Sequence, residues 1–182
     1  MLYLTIAVVA LLVMATLVVL YRPWRCKSKK AMYSELRMQA LTFSGRASGL
    51  SHGVQSSQAW GVMMELGSSV GVATLISLSD GSASLYYSNG GGVIGGIAHE
   101  SIRNAAKQFV SVAGQYQSKM STTTTFPLPA AGRVVFYVRT DSGVLTAEAG
   151  ENELGERRHV LSPLFYAGHG VITAFRTTGL IG

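Results

Sequence analysis

The chain opens on an unbroken apolar run. From Leu2 to Tyr21 it reads LYLTIAVVALLVMATLVVLY, 20 residues without a charge. At about 1.5 Å of rise per residue, a helix of that length crosses the roughly 30 Å of a bilayer's hydrocarbon core. The pattern predicts an uncleaved transmembrane anchor over residues 1–21. A cleaved secretory signal needs a basic stretch ahead of a shorter apolar one and small residues behind it. Here only Met1 precedes the run, and Arg22-Pro23-Trp24-Arg25 follows it. Tyr3, Tyr21 and Trp24 stand where aromatic rings favour a membrane interface.

After the run the apolar pattern weakens. Ala31 to Leu41 has modest helical periodicity through Met32, Leu36 and Met38, which would extend the anchor helix. Thr42 to Ser57 is rich in Ser and Gly and poor in large apolar residues, so it reads as a linker. Residues 22–53 are therefore expected to be a basic juxtamembrane segment and linker, with a folded domain over 54–182.

Within that domain Trp60, Met63, Met64 and Leu66 share a short helix-compatible stretch ending at Gly67. Two β-compatible runs, Val72–Ser79 and Ser82–Ser88, flank Asp80-Gly81, a type I′ hairpin signal. A second hairpin is expected from Arg133–Arg139 and Val144–Ala149 around Asp141-Ser142-Gly143. Ala98, Ile102, Ala105, Ala106, Phe109, Val110, Ala113 and Tyr116 follow three- and four-residue spacing, predicting a helix over 98–120. Ser162 as N-cap and Pro163 behind it open a final helix, with Gly179 as its stop. Ser121 to Ala131 is a Thr- and Pro-rich loop. The order α-β-β-α-β-β-α predicts an α+β domain: a small antiparallel sheet of two β-hairpins packed with helices, behind a single transmembrane helix.

Charge adds orientation. The chain has 182 residues, 48% hydrophobic and 13% charged, with a formal charge of +6. Arg22, Arg25, Lys27, Lys29, Lys30, Arg37 and Arg46 against Glu35 carry all of it, while the region from Val54 onward has as many cations as acids. A neutral folded domain excludes the basic face that nucleic acid requires, so no nucleic-acid partner is expected. Arg22, Arg25, Lys27, Lys29 and Lys30 flank the apolar run and would keep its far side in the cytoplasm. This implies a single-pass inner- or plasma-membrane protein with its N-terminus outside, the lipid bilayer as one partner, and a signal-anchor architecture. Cys26 is the only cysteine, which excludes an intramolecular disulfide framework and a cysteine-cluster zinc site.

The order of elements resembles the roadblock/dynein-light-chain family, within the wider profilin-like group. Gly61-Val-Met-Met-Glu-Leu-Gly67 stands at that family's first helix, Val70 to Gly81 at its strand and turn, and Asn104-Ala-Ala-Lys-Gln-Phe109 at its central helix. The likeness spans Val54 to Gly182. It implies a non-enzymatic dimerising or scaffold module that serves regulators of small GTPases or motors.

Candidate chemistry is sparse. Gly90, Gly92 and Gly95 match G-x-G-x-x-G between a strand and a helix, where glycines bring backbone N–H groups to a phosphate. With His99 at the helix start they form the candidate ligand-binding set, although no acidic residue follows at the ribose-binding distance and no Walker lysine is present. His52, His99, His159 and His169 have no metal-ligand spacing, and no G-x-S-x-G elbow occurs. No catalytic set, metal or cofactor is expected. Glu148, Glu151, Glu153 and Glu156 with Arg157 and Arg158 read as a solvated loop or the polar rim of a partner site. The leading expectation is a membrane-anchored interaction or scaffold module that self-associates. The alternative is a membrane-anchored small-molecule or nucleotide sensor using the Gly90–Gly96 loop.

Overall fold

A computed structural model describes residues 28–43, 45, 50 and 58–181. Among them no helix is long and apolar enough to cross a membrane. The expected transmembrane helix, and with it the single-pass, signal-anchor membrane architecture, is thus not found among the described residues. The run Leu2–Tyr21, Arg22, Arg25, Cys26 and Lys27 lie outside the described residues. Lys29 and Lys30, expected to flank the membrane, open a helix of the folded domain, α1 (Lys29–Thr42).

The domain is α+β, and its sheet is larger than two hairpins. In chain order the strands are β1 (Gly61–Ser68), β2 (Gly71–Leu78), β3 (Ala83–Tyr87), β4 (Gly92–Ile94), β5 (Ser121–Thr123), β6 (Arg133–Thr140) and β7 (Gly143–Gly150). They form one antiparallel sheet in the order β4-β3-β2-β1-β6-β7-β5. The remaining helices are α2 (Glu100–Gln115), α3 (Glu151–Gly155) and α4 (Ser162–Thr177).

The stretch Gly61–Gly67, expected to be the first helix, is strand β1. Met, Glu and Leu are good helix formers, but tertiary pairing overrides that small preference. β1 is hydrogen-bonded on both sides, Met64 facing Leu75 of β2 and Phe136 of β6. Being covered on both faces, it shows no alternation of apolar and polar residues.

Side chains on alternate positions feed two separate cores. Val62, Met64, Leu75, Leu85, Val134, Phe136 and Val138 face α2 and α4 and meet Ile102, Phe109, Leu164 and Phe175. Met63, Ile76, Tyr86, Val135 and Tyr137 face the other way, under Tyr33 and Leu41 of α1. α1 therefore belongs to the sandwich as its second helical layer.

The hairpin turns follow their residues. Ser79 to Ser82 join β2 to β3, with Gly81 at φ +96° donating to the Leu78 carbonyl and Asp80 Oδ1 accepting from the Ser82 N–H at 2.7 Å. Asp80 keeps negative φ, so this is an Asx-type turn and not the expected I′ turn. Asp141-Ser142 join β6 to β7. Leu161, not Ser162, is the N-cap of α4.

Candidate functional site

Arg37 and Glu65 form the most heavily invested polar contact in the molecule. Arg37 Nε donates to Glu65 Oε1 and Nη2 to Oε2, each at 2.7 Å, and both side chains are buried. Thr74 Oγ1 donates to Glu65 Oε1 at 2.9 Å and bonds Tyr33 Oη at 2.8 Å. The guanidinium also reaches the carbonyls of Phe126 and Pro127, and Tyr137 Oη donates to the latter. Burial disfavours the Arg37 charge, but the hydrogen bonds to Glu65, the Glu65 charge and the neighbouring tyrosines together more than offset it, and its pKa is raised. Every side chain in this network is engaged with the fold, so it clamps α1.

Arg139 secures the other end of α1. Its guanidinium donates to the carbonyls of Ala40 and Phe43 and lies over the rings of Phe43 and Trp60. Carbonyls left open at a helix C-terminus favour a cation there. Burial pulls its pKa down to about 10.

The glycine-rich stretch builds a sheet edge. Gly90, Gly91 and Gly92 all have positive φ and turn the chain from β3 into β4. Gly92 lies in the strand, opposite Tyr86, and a Cβ there would stand 2.3 Å from the Leu85 carbonyl oxygen. Gly95 precedes a 3-10 turn at Gly96–Ala98, and His99 is the N-cap of α2 without a side-chain cap bond. The four residues expected to hold a ligand thus serve a turn, a strand, a second turn and a helix start.

β4 is the outermost strand on its side. Val93, opposite Leu85, packs on the α2–α4 core. Ile94 turns to the other face and is 66% exposed, and Ile97 is 40% exposed. No charged residue occurs between Gly81 and Ala98.

Two clefts are roomy enough for a small molecule, the first of them beside this edge. One, of about 260 Å³, lies between α1 and the β3–β4 turn and is lined by Lys29, Met32, Tyr86, Tyr87, Gly90 and Gly91 among others. The second, of about 470 Å³, lies at the start of α4 and is lined by Arg157, His159, Val160, Ser162, Pro163 and Tyr166. Among the described residues no group of three His, Cys, Asp or Glu side chains could hold a metal ion. His169 has a buried Nε2 without a hydrogen-bond partner and packs at a tilt against the Phe165 ring, with 4.3 Å between centroids. Burial lowers its pKa.

The Arg37–Glu65 pair, the Arg139 cap and the α4 cleft escaped sequence reasoning. A lone acid inside the apolar run Val62–Leu66 was the one local signal for the first of these. No protein-family profile, curated protein or solved structure matches this chain.

Proposed function

We propose that this protein is a non-catalytic interaction module that self-associates through the β4 edge. The observation that carries the reading is an edge strand, uncovered among the described residues, with an exposed isoleucine and no charged residue of its own between Gly81 and Ala98. Sheet edges in folded proteins are ordinarily protected by charges, prolines or covering elements, because a bare row of N–H and C=O groups templates another strand. Ile94 and Ile97 add the apolar surface that marks an interaction site. A second copy presenting the same edge across a two-fold axis would join two sheets in an isologous contact.

Three residues of strand are too little for a stable dimer, which typically buries about 1,200–2,000 Å² in total. Ile97 and the exposed Met32, beside Gly90 and Gly91 in the smaller cleft, extend the surface on either side. Light scattering on the full chain should report a dimer, and Ile94→Lys should convert it to monomer without lowering its melting temperature. A parent chain that stays monomeric at high concentration overturns the reading.

The convergence of Lys29, Tyr86 and Gly90–Gly91 on one cleft favours a second reading, in which a small anionic molecule binds there. Thermal stabilisation by such a compound, lost in Lys29→Met, would support it. Gly92→Val is unsuitable for this test because it disrupts the β3–β4 pairing itself.

A further inference from the structure

We infer that the cleft between α3 and α4 is an oxyanion site whose ligand is a phosphate group. Its lining is rich in donors. α4 is a 16-residue helix with no acid in its first turn, so its dipole favours an anion at this end, although the Ser162 N–H is already taken by the His159 carbonyl and Pro163 has none. Ser162 lines the cleft while only 3% exposed, and its Oγ has no hydrogen-bond partner. Leaving a buried hydroxyl unpaired is costly, and a bound acceptor would remove that cost. His159 Nδ1 accepts the Leu161 N–H at 3.1 Å, so in the neutral ring Nε2 carries the proton and donates.

Arg157 completes the set. It is the single non-glycine residue with positive φ among those described, at +59°. It occupies the left-handed position after α3, where Arg157 N–H bonds the Leu154 carbonyl and Arg158 N–H that of Glu153. Helix ends of this kind usually place glycine there, because a side chain is strained in that conformation. Arg157 makes no ion pair among the described residues. Its guanidinium rests over the Tyr166 ring, 5.1 Å from the centroid, at the mouth of the cleft. The neighbouring acid, Glu156, is taken by Arg158.

A guanidinium fork, an imidazole N–H and a serine hydroxyl beside the positive end of α4 offer more donors than a carboxylate's two oxygens use, and suit the three or four oxygens of phosphate. Val160 and Pro163 supply apolar walls for the body of a phosphomonoester. The ligand is thus either free phosphate or a phosphoester.

Thermal unfolding of the full chain, followed in phosphate and in chloride at matched ionic strength, tests the site, together with ligand-observed NMR titration of inorganic phosphate and phenyl phosphate. Phosphate should raise the melting temperature more than chloride. Arg157→Gly should bind phosphate at least tenfold more weakly while melting no lower than the parent, since glycine relieves the left-handed backbone; Ser162→Ala should also weaken binding. Tighter binding of phenyl phosphate identifies a phosphoester, and equal binding free phosphate. Phosphate that stabilises no more than chloride, or Arg157→Gly binding as the parent does, overturns the assignment.

Discussion

Arg37 of α1 and Glu65 of β1 meet in a two-pronged ion pair with both bonds at 2.7 Å, their side chains 7% and 0% exposed. They are 28 residues apart in the chain, so the pair welds an N-terminal helix to the middle of the sheet. α1 buries only Tyr33, Arg37 and Leu41, and so narrow an apolar stripe leaves much of its positioning to the polar network. A buried pair is weak evidence of net stabilisation, because desolvation offsets most of its attraction, but it strongly penalises any arrangement that separates the charges.

Breaking the pair on one side should therefore cost far more than replacing both. Arg37→Met or Glu65→Leu alone is expected to lower unfolding stability by about 3–5 kcal/mol, since each strands a buried charge. The double variant should lie within about 1–2 kcal/mol of the parent. Urea denaturation of the four proteins closes the cycle, and additive losses would show that the two residues are energetically independent.

Tyr137 should make the fold alkali-sensitive. Burial, reinforced by the Glu65 charge, pushes its phenol up to about 12. The folded state thus holds its proton where the unfolded chain, near 10, has lost it. That stabilisation is complete below pH 10 and disappears as pH rises towards 12. Tyr137→Phe, which cannot ionise, should lose less stability over this interval, by on the order of 1 kcal/mol. Parallel denaturation series at pH 9 to 12 would reveal the difference.

His169 should impose the opposite sensitivity. Burial lowers its pKa below 6.5, so the unfolded state takes up a proton more readily than the folded one. Its contribution is present above pH 6.5 and is lost as acid titrates the folded ring. His169→Gln should flatten the melting temperature between pH 7 and pH 5 relative to the parent, and a parallel fall in both proteins would exonerate this residue.

Gly92 is fixed by close approach. Valine there would drive a Cβ to 2.3 Å from the Leu85 carbonyl oxygen at a φ of +140°. We expect Gly92→Val to detach β4 from β3 and to abolish dimer formation while the central strands stay folded. Hydrogen exchange should show lost protection confined to Ala83–Ile94.

What was legible in the sequence were the segments with a local period. α2 shows its buried face, Ile102, Ala106, Phe109, Val110 and Ala113, as three- and four-residue spacing, and β6 shows itself as a continuous β-branched and aromatic run. β1 was hidden because its helix-forming residues are buried on both faces, leaving neither period. β4 and β5 have three residues each, too few to carry a pattern. Of the candidate site, the glycines of the β4 turn were visible but their role was not: the same residue type serves a phosphate loop or a tight approach between strands, and register alone separates the two. The Arg37–Glu65 pair and the α4 cleft join residues through packing, which no local spacing encodes. Arg157 gave no sign, since its left-handed backbone arises from how α3 ends.

The β4 edge is most directly tested by directed disulfide formation in the full chain, with Cys26 replaced by Ser so that the introduced thiol is alone. If two copies pair through β4, Ile94→Cys should form a covalent dimer under mild oxidation, while Val160→Cys, exposed beside α4, should not. Equal crosslinking at the two positions, or none at Ile94→Cys while Val160→Cys reacts, would contradict self-association through this edge.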